Sequence, residues 1–338
     1  MLKAALPFLL LLLCAACAPA GDDDDSAGAT PFLAVTFNTG TTPGMGHDQG
    51  PDDGYTQEHA DRSDRWYGDG LAWVPAVEAA TAWFADLQPD VVVFQEIFHP
   101  DDCADVPDDA RADFVCEDWQ PGDPTVAQRI LGPGYQVACH PGKPDKCAAV
   151  RSAFGRFEGC SGDLCLEGMD GFTVPTCGSG ARVARGVIAL ADGGELTLVN
   201  VHGSSGLSGE DKACRVAQVE QVFVDLGDGA PGTSGERNLV LGDFNTDPGR
   251  WLESDVSAAR WRDFAAPSGE GDGSQAFTFH TDVGPDATTT YSGLANIDHA
   301  LSDFAEGGCW HAGVTDGRPA VTDARYFDHV PAVCSLRP

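Results

Sequence analysis

The stretch LVLGDFNTDP, residues 239–248, decides how this chain folds and what it does. Leu239, Val240 and Leu241 run into Gly242, and then Asp243 and Asn245 flank Phe244 before a turn. The apolar run predicts a buried β-strand. Side chains two apart on a strand share a face, so the carboxylate and the carboxamide point the same way. Gly242, with no Cβ, lets another backbone or a ligand approach closely. A strand that stops on two convergent oxygen-bearing groups places them rigidly.

Five other stretches repeat the device. PFLAVTFNTG (31–40) is a β-rich run that stops at Asn38, and PDVVVFQEIF (89–98) is a continuous apolar strand, buried on both faces, that ends in Gln95 and Glu96. ARGVIALADGGELTLVNVHGSSG (184–206) reads as two strands of a hairpin around Asp-Gly-Gly, finishing in Asn200 and His202. GLANIDHALSDF (293–304) carries Asp298, and YFDHVPAVCSL (326–336) carries Asp328 and His329. Between them, Leu71, Val74, Val77, Ala80, Phe84 and Leu87 predict a helix over 71–87, and Val216, Val219, Val222, Phe223 and Leu226 predict one over about 210–226. Residues 41–70, rich in Gly and Asp, read as a long loop. Strands and helices alternate but some strands are joined by hairpins, so the class is α/β with a mixed sheet.

A chain of 338 residues can bury a sizeable core. Its 52 acidic against 20 basic residues should repel nucleic acid and anionic membranes at long range. The charge does not exclude a local phosphate site. The start, MLKAALPFLLLLLCAAC, is a targeting segment: Lys3 precedes an apolar run too short to span a membrane comfortably. It resembles a bacterial lipoprotein signal (1–17), with Cys17 the lipidated residue, although Cys14 stands where an aliphatic residue is usual. An acidic tether (18–31) follows, unable to build a core. The implied location is the bacterial cell envelope, lipid-anchored, or the exterior. Ten cysteines lie beyond Cys17 with no CxxC pair, so an exported chain would carry up to five disulfides of open connectivity. Five of them crowd residues 139–177 and read as staples of a cysteine-rich insertion at about 99–180.

Any one of these strand-end motifs is also ordinary turn grammar. Six together, all acid, amide or imidazole, point to a site. Oxygen donors of this kind suit Mg²⁺, Mn²⁺ or Ca²⁺ better than zinc. A histidine beside such an ion points to proton transfer, and attack of water on a phosphate ester uses both.

At TFNTG, PDVVVFQEIF, LVNVHGSS, LVLGDFNTDP, IDHALSDF and FDHVPAV the chain resembles the endonuclease/exonuclease/phosphatase superfamily, in order and approximate spacing from about residue 32 to the C-terminus. The resemblance implies a catalytic domain over 32–338, a four-layer α/β/β/α sandwich with its site at one end of two packed sheets. It implies that Asn38, Glu96 and Asp328 serve a metal, Mg²⁺ first and Mn²⁺ or Ca²⁺ next. His329 would be the general base, Asp298 its orienting carboxylate, His202 the electrophile or general acid, and Asp243 and Asn245 the groups on the phosphate or nucleophile. Arg185 and Asn245 would bind phosphate oxygens. The expected activity is metal-dependent phosphodiester hydrolysis, with a deoxyribonuclease-like nuclease as the first specific reading. A phospholipid or small-molecule phosphate hydrolase is the alternative, and the chain is expected to be a monomer. A non-catalytic surface binding protein keeping the fold, and a disulfide-rich adhesion or toxin domain, are the competing classes. The first predicts decay of the site, yet every motif residue is present; the second leaves the carboxylate series unexplained.

Overall fold

The computed structural model describes residues 30–41, 52–140, 142–178, 183–227, 229–265 and 277–338. The expected signal segment with Cys17, and the expected tether as far as residue 29, lie outside the described residues. In chain order the first elements are β1 (Phe32–Asn38), α1 (Gln57–Trp66), α2 (Val74–Leu87), β2 (Val91–Gln95) and α3 (Val126–Leu131). Next come β3 (Tyr135–His140), β4 (Lys143–Arg151), β5 (Gly155–Phe157), β6 (Leu164–Cys165), β7 (Asp170–Gly171), β8 (Val183–Leu190) and β9 (Glu195–His202). The last are α4 (Gly209–Phe223), β10 (Asn238–Asp243), α5 (Val256–Ala265), β11 (Phe279–His280), β12 (Asp298–Ser302), β13 (Glu306–His311) and β14 (Ala332–Arg337).

The strands form two mixed sheets. One runs β13-β14-β1-β2-β4-β3-β6, and the other β11-β12-β10-β9-β8-β5, with β7 paired to β8. Period-two alternation assigns each sheet its faces. Ala34, Val91, Val93 and Ala148 of the first sheet meet Ile188, Leu198, Leu239 and Leu241 of the second, giving an inter-sheet core. The alternate residues Val35, Phe37, Val92 and Phe94 pack outward with Val77, Ala80 and Phe84 of α2. Val199, Val201 and Val240 pack outward with Val219 and Val222 of α4 and Trp261 of α5. The result is the expected helix–sheet–sheet–helix sandwich.

Topology puts the strand-end motifs at one end. β1 and β2 are parallel, with Asn38 opposite Gln95, and β14 runs antiparallel to β1, so the segment entering β14 starts at that same end. The second sheet uses the same arrangement: β9 and β10 are parallel with His202 opposite Asp243, and β12 is antiparallel with Asp298 opposite Asp243.

The stretch 41–70 is not all loop, because α1 occupies 57–66. Thr56 and His59 form a capping box, which satisfies amide groups that a helix start leaves open. The helix is polar nearly throughout, burying only Ala60 and Ser63 within its length, so it has no apolar stripe for a periodicity reading to find. Residues 99–180 likewise supply α3 and strands of both sheets, among them β3 and β4.

The ten cysteines pair as Cys103–Cys116, Cys139–Cys147, Cys160–Cys165, Cys177–Cys214 and Cys309–Cys334. Cys177–Cys214 has the largest sequence separation, 37 residues, and ties the segment before β8 to α4. Replacing both partners with alanine should cost about 2–4 kcal/mol of stability, read as a lower urea midpoint.

Candidate active site

Asp243 lies at the centre and is 1% exposed. Asn38 Nδ2 donates to Asp243 Oδ2 at 3.0 Å across the two sheets, while Asn38 Oδ1 accepts from Gly40 N at 2.9 Å. Asn245 N donates to Asp243 Oδ1 at 2.7 Å, and Asn245 Nδ2 donates both to Asp243 Oδ2 and to the Gly203 carbonyl at 3.0 Å. Asn245 holds left-handed backbone, φ 48°, and so does Glu96 at φ 58°. Such strain in non-glycine residues persists where surrounding contacts over-determine the conformation, as they do at functional sites.

Both histidines bring Nε2 near Asp243 Oδ2. His202 Nε2 is 3.3 Å from Glu96 Oε1 and 3.9 Å from Asp243 Oδ2. His329 pairs through Nδ1 with Asp298 Oδ2 at 2.8 Å, which leaves Nε2 3.8 Å from Asp243 Oδ2 and 3.9 Å from Asp328 Oδ1. Thr290 fastens both halves of that pair. Its hydroxyl accepts from Ile297 N and Asp298 N at 3.0 and 3.1 Å, and its carbonyl accepts from Val330 N at 2.8 Å. The Tyr291 ring lies 4.9 Å from the His329 ring.

Electrostatics follow from this crowding. Burial alone would lower the His329 pKa, but the carboxylates of Asp298, Asp243 and Asp328 outweigh it and raise it to about 10. Burial, and then the Asp298 charge, push Asp243 up to about 6 against the pull of His329 and His202. Burial also opposes ionisation of Glu96, yet its hydrogen bond to His202 and the charges of both histidines hold it below the ordinary value. The site is an excess of carboxylates with imidazolium as internal counter-charge.

Eight residues expected from the sequence meet here: Asn38, Glu96, His202, Asp243, Asn245, Asp298, Asp328 and His329. Arg185 does not join them. Its partner across β8 and β9 is Val199, whose side chain faces α4, so Arg185 lies on the outer face of its sheet. There it donates to Ser234 Oγ at 2.6 Å and Asp170 Oδ2 at 3.3 Å and stacks over Phe172. His299 is wholly buried between Phe244 and Trp261, with its ring nitrogens engaged by Thr281 Oγ1 and the Thr246 carbonyl. Gln95 and Asn200 bind each other at 2.7 Å between the sheets, a cross-link of the core.

Asp69 was not singled out in the sequence. It takes a hydrogen bond from Thr41 Oγ1 at 3.2 Å, and burial with the charges of Asp64, Glu96 and Asp328 raises its pKa to about 6. Its only sequence signal is the Asp-Gly step at 69–70, hidden in a Gly/Asp-rich stretch.

The donor set fits a hard divalent cation: Glu96, Asp243, Asp298 and Asp328 bring carboxylates, and Asn38 and Asn245 bring amide oxygens. Asp243, Asp298 and His329 each offer a ligating atom within 4.8 Å of the others. A cradle is built for Glu96 as well, since a Cβ on Gly40 would come within 2.2 Å of Glu96 Oε2. Gly40→Ala should therefore displace the carboxylate and lower kcat about 10–100-fold, with little change in Tm because the clash is with a side-chain end. Steady-state kinetics and a thermal melt check both halves.

No protein-family model and no curated protein matches the sequence. Solved structures do. Humanized TDP2 of D. rerio, carrying 14 mutations, superimposes with TM-score 0.50 at 13% identity, over 91% of this chain and 99% of that one. ANGEL2, a 2′,3′-cyclic phosphatase, in complex with adenosine-2′,3′-vanadate, also gives TM-score 0.50 at 13% identity, over 91% and 96%. The chain has the endonuclease/exonuclease/phosphatase fold. A protein described by that superfamily name, from Beutenbergia cavernae, gives TM-score 0.47 at 15% identity, over 91% of this chain and 71% of that one.

Proposed function

We propose that this endonuclease/exonuclease/phosphatase-fold chain is an exported, divalent-metal-dependent phosphoesterase that cleaves phosphodiesters by attack of water. The observation that carries the reading is the His329–Asp298 pair, 2.8 Å apart, aimed into a ring of metal-compatible carboxylates. Asp298 fixes the tautomer by accepting from Nδ1, which leaves Nε2 to take the proton of an attacking water once His329 is neutral. Glu96, Asn38 and Asp328 would hold the ion. A divalent cation there would supply positive charge to the phosphate oxygens and, by neutralising carboxylates that raise His329, would favour its neutral form. Asp243 closes β10, and Asn245 lies not on the strand, as its spacing predicted, but two residues beyond it in left-handed backbone; hydrogen-bonded together, they would orient the phosphate or the water. His202, beside Glu96, serves the leaving group as electrophile or acid.

A deoxyribonuclease-like nuclease remains the first specific reading. A specific observation favours the alternative, hydrolysis of phospholipids or small phosphate esters. Arg185, the cation expected on the phosphate, faces away, and the chain's net charge is −32. The resemblance of residues 1–17 to a lipoprotein signal supports an envelope location through Cys17, and a monomer is the assembly proposed.

The test is nicking of supercoiled plasmid by the full chain, produced in an oxidising compartment, with Mg²⁺, Mn²⁺ or Ca²⁺ and with chelator. Metal-dependent nicking supports the nuclease. Turnover of bis(p-nitrophenyl) phosphate or phospholipid without nicking supports the alternative. No turnover of any phosphate ester by folded, metal-supplied protein sinks the phosphoesterase reading.

A further inference from the structure

Helix α4 buries a row of polar side chains that a helix packed on a sheet would ordinarily fill with apolar ones. Arg215, Gln218 and Gln221 are 1%, 1% and 0% exposed. Buried polar groups are tolerated only when hydrogen-bonded, so each partner says what the residue is for. Gln221 binds the Ala230 carbonyl and Leu226 N, closing the turn beyond its own helix. Gln218 does something different. Its Nε2 donates to the His202 carbonyl at 2.9 Å, and its Oε1 accepts from Ser204 N at 2.7 Å. The two bonds straddle Gly203.

Gly203 is itself pinned from the other side. Its N donates to the Asp243 carbonyl at 2.7 Å and its carbonyl accepts from Asn245 Nδ2 at 3.0 Å. Only glycine fits there, since a Cβ would come within 2.1 Å of the Phe244 carbonyl. One turn earlier on α4, Arg215 donates to the Ser204 carbonyl and to the Gly206 carbonyl at 3.1 Å, and is itself held by Asp255. The loop leaving His202 is thus gripped by β10 in front and by α4 behind.

We infer that Gln218 is a positioning residue for His202, fixing the backbone from which its imidazole reaches Glu96 and Asp243. This rests on the phosphoesterase reading of the site. Both side-chain hydrogen bonds of Gln218 go to the two peptides that flank Gly203, and it acts through them. His202 Nε2 stands 3.3 Å from Glu96, and a rotation of its peptide would break that contact while leaving the sheet intact.

The test uses the Mg²⁺-supplied full chain with bis(p-nitrophenyl) phosphate as probe. Gln218→Met, close in length but unable to make either bond, should lower kcat about 10–100-fold with KM little changed. In a His202→Ala background the same substitution should lower kcat no further, because the residue it positions is gone. Losses that simply multiply would overturn the inference, since a general packing defect predicts them. Should Gln218→Met fail to fold, Gln218→Glu keeps the acceptor for Ser204 N and replaces the donor with an oxygen that repels the His202 carbonyl; the same fall in kcat is expected. NMR of ¹⁵N-histidine-labelled protein gives a readout independent of turnover. The His202 ring signals should move in the Gln218 variant while those of His299 stay. Unmoved His202 signals overturn the inference even in an active enzyme; moved signals in a chain that hydrolyses no phosphate ester would uphold the clamp and sink only the activity assigned to the site.

Discussion

His329→Gln is expected to lower kcat about 10²–10⁴-fold, the usual worth of a general base, while the chain stays folded. Glutamine can still donate to Asp298 across the 2.8 Å contact, so the buried carboxylate keeps a partner, but it cannot accept a proton at neutral pH. His329→Ala should match it in kcat and be the less stable of the two, because it leaves Asp298, 1% exposed, without the partner of its Oδ2. Asp298→Asn tests the orienting role. An amide that donates to Nδ1 forces the proton onto Nε2, the wrong tautomer for a base, so a loss of similar size should follow. Initial rates across a substrate series, with circular dichroism of each variant, decide the matter. A His329→Gln enzyme that keeps full activity would remove the base from the mechanism.

The strand ends that make this site were legible because two local signals coincide at each. An apolar run predicts a strand, and the change to Asn, Asp, Glu or His marks where it leaves the sheet or, at Asp298 and at Asp328 with His329, where it enters. Their convergence was not local. It depends on β1 with β2 and β9 with β10 being parallel, and on β14 and β12 entering antiparallel beside them, none of which one sequence displays. Arg185 shows the limit from the other side. The residue type suited a phosphate, but strand parity turns it outward with Val183 and away from Ala184 and Ile188, which face the core. The helix α1 has no apolar pattern because its anchors lie at its ends and are tertiary: Tyr55 packs on Trp73 and Tyr326, and Tyr67 on Phe98 and Phe114, while its own residues are nearly all polar. Asp69 and the α4 clamp were invisible for a related reason. A carboxylate in an acidic stretch, or a glutamine on a helix, acquires a role only from what folds against it.

The chelator-treated protein should lose stability steadily as pH rises between about 7 and 10. Below pH 6.5, the ordinary histidine value, His329 is protonated in both folded and unfolded chains, and its stabilisation by Asp298, Asp243 and Asp328 is fully present. Above that, the unfolded chain releases the proton while the folded one keeps it up to about 10, so the native state binds the more protons. Stability then falls with a slope of about 1.4 kcal/mol per pH unit per such group, a total of a few kcal/mol. Asp243, raised to about 6, acts in the same direction but is spent by neutral pH. Tyr326, pushed up to about 12 by burial, enters only above the window. The limb between pH 8 and 10 therefore belongs to His329 and should vanish in His329→Gln. Saturating Mg²⁺ or Mn²⁺ competes with that proton for the same carboxylates, so it should flatten the limb and release up to one proton per chain. Urea denaturation across the pH series, with calorimetry in buffers of differing ionisation enthalpy, measures both. A flat profile without metal would mean that the carboxylates of Asp298, Asp243 and Asp328 do not hold His329 charged.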